Sequence, residues 1–130
     1  MAIITKQQQR AKFALDELNK YRESGVPKDY ATFIVGMPNM ILSNGLGQSL
    51  AFLKAKSKKE ERAFVFKVLK KYLLQEYKND FGNISDDFAF LEKINTISQS
   101  RYIEIQQEVL KVLEWLKRYA RAFEKEDKKD

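Results

Sequence analysis

Three short stretches of the chain are built from residue types that do chemistry when correctly spaced. Asp80-Phe81-Gly82 spells the metal-binding triplet of protein kinases. Asp86-Asp87 offers adjacent carboxylates of the kind a metal-dependent nuclease uses. Asn44-Gly45-Leu46-Gly47-Gln48 contains glycine, as phosphate-cradling loops do. None of the three extends into a working site. A kinase also needs a glycine-rich loop, a strand lysine and a catalytic loop, and the chain has none of them. A two-metal nuclease needs several convergent carboxylates, and the glycines at 45 and 47 lack dinucleotide-binding or P-loop spacing. The simpler readings are a surface turn at Asp80-Phe81-Gly82 and a helix–helix turn with Gly45 at positive φ. Asp86 and Asp87 then supply negative charge to a helix N-terminus. The chain has no histidine and no cysteine. That excludes imidazole acid–base chemistry, disulfides, and nearly all zinc, copper and non-haem iron sites. No nucleophile–base pairing is visible, so the expectation is a protein without catalysis, cofactor or metal.

What remains is positive charge. The 130 residues carry a net +6. The tail from Glu124 to Asp130 holds four acids and three lysines, so the first 123 residues carry +7. Such an excess attracts anionic partners and is the footprint of nucleic-acid binding. Arg10 and Lys12 stand near the start of the first predicted helix, away from its Leu15-Leu18 face. Lys54 and Lys56 close the third, Lys67, Lys70, Lys71 and Lys78 mark the fourth, and Lys111, Lys117, Arg118 and Arg121 mark the last. Singly, most suit a solvated surface with i,i+4 pairs such as Glu114-Arg118. Together they offer many phosphate contacts, the sequence-independent part of nucleic-acid affinity. Trp115 lies roughly 100° from the centre of the last helix's apolar stripe. It admits three readings: a core-edge residue on a neighbouring helix, an exposed anchor for another protein, or a stacking platform for a base.

The elements that position these groups are helical throughout. Thr5 with Gln8 is a capping-box signature, and Ala11, Ala14, Leu15, Leu18 and Tyr21 then define one buried face. Ser24-Gly25 stops this helix, and Pro27 suits the start of the next. Tyr30, Phe33, Ile34 and Met37 carry that second helix, which Pro38 is expected to kink or restart. Asn44-Gly45 ends it. A third helix spans about Leu46 to Lys56. Ser57 with Glu60 predicts a second capping box, opening a central helix through Tyr77 that is apolar on more than one face. Asn79 to Asp87 reads as a loop. A short helix after Ser85 buries Phe88, Leu91 and Ile94. Ser98 or Ser100 caps the longest helix, whose stripe is Ile105, Val109, Val112, Leu113, Leu116, Ala120 and Phe123. The expected architecture is all-α, a single compact bundle of about six helices over residues 1–123, with 124–130 a charged, solvated tail. No apolar run approaches the ~20 residues of a membrane span. The N-terminus does not read as a signal peptide, which fits the cytoplasm.

The block Met37 to Lys56, MPNMILSNGLGQSLAFLKAK, resembles the small helical subunit family of the type III-B CRISPR (Cmr) RNA-silencing complex. Gln9-Arg10-Ala11 and Trp115-Leu116-Lys117-Arg118-Tyr119-Ala120 extend the resemblance from the first helix to the last. Ser49 and Met37 stand where the family pattern has Thr and Leu. The resemblance implies a subunit without catalytic activity, lined up in several side-by-side copies along the backbone subunits that hold guide RNA. The target strand enters the groove between them. RNA contact is then expected at Arg10, Lys54, Lys56, Lys117 and Arg118, and a protein interface at Trp115. Expected partners are the other Cmr subunits, copies of the chain itself, and guide and target RNA, with no membrane. Two other readings fit the same charge: a stand-alone helical nucleic-acid chaperone, and a protein–protein adaptor that touches no RNA.

Overall fold

A computed structural model describes residues 3–23 and 25–124. Ser24 and most of the expected tail, residues 125–130, lie outside the described residues. The described elements are α1 (Lys6–Leu18), a 3-10 turn (Asn19–Tyr21), α2 (Lys28–Asn44), α3 (Leu46–Ala55), α4 (Glu60–Glu76), α5 (Lys78–Phe81), α6 (Asp87–Ile94) and α7 (Gln99–Ala122). The fold is all-α, and the only β pairing among the described residues is an isolated bridge between Val26 and Glu124. Among these residues no helix is long and apolar enough to cross a membrane.

Residues up to Pro38 and from Leu110 onward form one unit; Asn39–Val109 form the other. In the first unit the capping box at α1 forms as the sequence predicts. Thr5 Oγ1 accepts from the Gln8 N–H at 3.0 Å, and Gln8 Oε1 accepts from the Thr5 N–H at 2.7 Å. The buried face of α1 differs from expectation: it is Arg10, Ala14, Glu17 and Leu18, while Ala11, Leu15 and Tyr21 are only half-buried. An apolar-only pattern misses this register, because the long stems of Arg and Glu pack like hydrocarbon when their heads find partners. The Pro27 carbonyl accepts the Tyr30 N–H at 3.0 Å and so opens α2. The helix does not restart at Pro38 but runs on to Asn44. Val112, Leu113, Leu116 and Ala120 of α7 are wholly buried, as their spacing predicts.

In the second unit α4 buries Phe64, Val65 and Phe66 in succession, so its buried surface is broad, and Lys67, Lys71 and Gln75 form its exposed stripe. Its start is not the predicted one. Lys59 occupies the N-cap position without a side-chain cap, and Ser57 lies in the preceding turn. The expected loop from Asn79 begins with the short helix α5, whose Phe81 is buried. Asp86, not Ser85, caps α6 by accepting the Ala89 N–H at 2.9 Å. The helix buries Ile94 as expected and Phe90 in addition, while Leu91 is half-buried and Phe88 is 68% exposed, against the expectation that Phe88 is core. Phe90 lies edge-on to Phe66 at 6.0 Å and tilted to Phe81 at 5.3 Å.

The turn between α2 and α3 is the tightest constraint. Gly45 ends α2 and opens α3 at φ 85°, ψ 160°, a region that essentially only glycine occupies. Replacing Gly45 by Ala or by Asn is expected to destabilise the protein by roughly 1–3 kcal/mol, because Asn favours a different left-handed well. Gly36 is the opposite case: it sits inside α2 with nothing within 4 Å of an added Cβ. Gly36→Ala should raise stability by about 0.5–1 kcal/mol. Urea unfolding midpoints at constant slope check both.

Candidate nucleic-acid interface

Lysines gather in the second unit around a single carboxylate. Lys54 comes from the last turn of α3, Lys67 and Lys70 from α4, and Asp87 from the first turn of α6. With Ser57, Ala63 and Phe66 they line a cleft of about 370 Å³. Lys54 Nζ lies 2.8 Å from Asp87 Oδ2, and Lys70 Nζ lies 2.7 Å from Asp87 Oδ1. Lys70 also donates to the Ser85 carbonyl. The hydrogen bonds from Lys54, and then from Lys70, hold the Asp87 carboxyl below the ordinary carboxylate range. Lys67 is exposed and makes no ion pair among the described residues, so the cleft is lined by three lysines and one carboxylate. Lys56, Lys58 and Lys59 stand exposed beyond the end of α3.

The predicted contact residues therefore divide. Lys54 is tied into the cleft, while Lys56 caps α3 with its side chain exposed. Lys70 gains its importance from Asp87, which no sequence spacing links to it, and Lys67 lines the same cleft. The run Lys54-Ala55-Lys56-Ser57-Lys58-Lys59 was the one local signal for this concentration of charge.

In the first unit Trp115 is half-buried and donates from Nε1 to Gln7 Oε1 at 3.2 Å. It stacks on Tyr119 at 5.7 Å, and Tyr119 in turn stacks on Phe123 at 6.5 Å. Arg10 does not point outward as expected. It is buried, and its Nη1 donates to the same Gln7 oxygen at 3.3 Å. Gln7 thus joins Arg10 on α1 to Trp115 on α7, the packing role that was one of three open for the tryptophan. Lys117 pairs with Glu114 at 3.1 Å, one residue short of the predicted Glu114-Arg118 pair. Arg118 is exposed and makes no ion pair among the described residues.

The decoys resolve into structural roles. Asp86 caps α6, and Asp87 neutralises lysines. Asp80 accepts from Arg101 Nε at 3.2 Å, and Arg101 also reaches Glu104 at 3.1 Å. Gly82 closes α5 at φ 64°. Beside this cluster, burial and then the charges of Glu108, Glu104 and Glu76 push the Tyr77 hydroxyl up to about 12.

The sequence model of the family described as CRISPR-associated protein (Cas_Cmr5) matches residues 6–123, and the chain belongs to that family. Among solved structures, a CRISPR-associated Cmr5 family protein from Thermus thermophilus superposes with a TM-score of 0.73 at 23% identity. The match covers 93% of this chain and 98% of that one, and it establishes the shared fold. Among curated proteins, none matches the chain.

Two titrations check the electrostatics. The folded Asp87 carboxyl lies below its ordinary 3.8, so its stabilisation is present above about pH 4 and is lost as pH falls through the folded value. Carboxyl-detected NMR should place its midpoint under 3.8, and Lys54→Ala should move it upward. Tyr77 has the opposite sign: raised from 10.0 to about 12, its contribution is whole below pH 10 and fades as pH rises toward 12. Ultraviolet titration should show absorbance change persisting toward pH 12, and Tyr77→Phe should reduce it by one tyrosine's worth.

Proposed function

We propose that this member of the Cas_Cmr5 family is a non-catalytic structural subunit of a Cmr RNA-silencing complex. In this reading it packs side by side with copies of itself and holds guide and target RNA through basic surface groups. The observation that carries it is the family match over residues 6–123, joined to a lysine-lined cleft. The exposed cations Lys56, Lys67 and Arg118 supply phosphate contacts, and Lys54 and Lys117 act beside them while partly neutralised by acids. Arg10, being buried, serves instead to hold Gln7 and through it Trp115. Lysines are point charges with swivelling donors, suited to phosphate and poor at reading base edges. Sequence would then be read by guide–target pairing, as in other RNA-guided effectors. The setting is cytoplasmic.

Purification of the tagged protein from its host, with sequencing of the nucleic acid that accompanies it, tests the reading. Short guide RNAs sharing a repeat-derived 5′ tag, together with the backbone subunit, are expected. Heterogeneous RNA with no such partner would point to a stand-alone chaperone; no RNA at all would point to an adaptor. Within the assembled complex, Lys56→Glu with Arg118→Glu should weaken target-RNA binding. The slope of log K against log salt should flatten by about 0.7 for each phosphate no longer neutralised. Unchanged affinity would remove these two residues from the RNA contact.

A further inference from the structure

The lysine cleft has an unused neighbour. Phe88 follows Asp87 in α6 and is 68% exposed, the one large aromatic among the exposed hydrophobic side chains of the described residues. Lys54 Nζ lies 5.8 Å from the centroid of its ring. One lysine therefore touches both the carboxylate that organises the cleft and an aromatic face open to solvent. A ring left out of the core gains little from folding, yet here it stands at the rim of a basic recess.

The donor inventory of the cleft suits a phosphate. Each ammonium has three N–H donors. Lys54 gives one to Asp87, and Lys70 gives one to Asp87 and one to Ser85, so both keep donors free, and Lys67 keeps all of its own. Asp87 fixes two ammonium groups at once, so they need little reordering when an anion arrives. The cleft's volume of about 370 Å³ falls in the range of small-ligand sites. Successive bases of a single strand stack on aromatic rings while cations follow the backbone.

We propose that the Lys54, Lys67 and Lys70 cleft and the exposed ring of Phe88 form one nucleotide subsite on single-stranded RNA, with phosphate among the lysines and the adjacent base stacked on Phe88. This rests on the RNA-contact reading above and gives that contact its chemistry. The subsite is indifferent to base identity, because every base has a π face and the lysines are engaged by phosphate in this arrangement.

NMR titration of the full-length chain with tetrauridylate, and with an abasic tetramer of the same phosphate count, tests it. Tetrauridylate should shift Phe88 and the cleft lysines and bind roughly tenfold more tightly than the abasic strand. Phe88→Ala should abolish that preference while leaving abasic-strand affinity in place, and Phe88→Tyr should retain it. Lys67→Ala should weaken both strands alike. Because Phe88 is exposed, its variants should keep the wild-type melting temperature, which separates a missing stacking partner from a damaged fold.

Equal affinity of the wild type for the two strands overturns the subsite, as does a Phe88→Ala effect shared by both. Shifts in the cleft with neither strand also overturn it, whereas failure of the complex reading appears separately, as absent guide RNA on purification. Should Phe88→Ala impair assembly with the backbone subunit and leave RNA affinity untouched, Phe88 belongs to a protein contact and the inference is wrong.

Discussion

The first backbone amides of α3 have no cap of their own, and much of the second unit follows from how that lack is met. Gly45 must occupy a positive-φ conformation to turn the chain between two abutting helices, so the cap position carries no side chain. The orphan donors are satisfied from α7 instead. The Leu46 N–H donates to Gln106 Oε1 and the Gly47 N–H to the Tyr102 hydroxyl, each at 2.8 Å. This approach leaves little room at Gly47. A Cβ there would stand 3.3 Å from Asn95 Oδ1 and 3.4 Å from the Tyr102 hydroxyl. With its N-terminus pinned, α3 carries Lys54 eight residues further on, about 12 Å along the axis. There Lys54 meets Asp87. The geometry of the cleft is thus set at the opposite end of the helix from its charge.

Much of the positive charge is answered locally. Lys12 pairs with Asp16, Lys20 with Glu17, Arg101 with Asp80 and Glu104, and Arg121 with Glu124. An exposed pair such as Lys12–Asp16 contributes only about 0.2–1 kcal/mol, and each such partner cancels one cation locally. The excess therefore falls to cations such as Lys56, Lys67 and Arg118. Net charge by itself says little about a partner; where the unanswered charges stand says more. The buried Glu108 differs from a surface acid such as Asp16. It accepts from the Tyr72 hydroxyl inside the second unit, where removing a partner costs more than breaking any surface pair.

The features legible in the sequence were those with local causes. The Thr5–Gln8 box, the Gly45 stop and the α7 stripe each depend on residues within a turn or two of one another. The failures share an opposite cause. Ser57 has the letters of a cap, but the chain stays in turns to Lys59, so no side chain caps α4. Phe88 fits a helical period as well as Phe90 does. Choosing between them requires knowing which face of α6 meets Phe66 and Phe81, and both lie outside that helix. The burial of Arg10 and Glu17 escaped a pattern that counts apolar residues alone. Within the candidate site the Lys54–Lys56 run was visible, but its link to Lys70 runs through Asp87, distant in sequence from both. Charge composition was compatible with an anionic partner; only the folded chain shows which lysines share Asp87.

On the proposed reading, a cleft of swivelling ammonium groups beside an aromatic ring would bind a single strand weakly and without sequence preference. For a protein acting alone that would be a defect. In a row of identical copies along one strand, as proposed, each subsite needs to hold only one nucleotide. Once the first copy is engaged, the others act at high effective concentration, and avidity replaces affinity. Strong, base-specific contact at each copy would work against such a complex, since it would compete with guide–target pairing for control of specificity. No arginine, asparagine or glutamine lines this cleft, so it offers no planar guanidinium or amide fork, which fits the proposed division of labour.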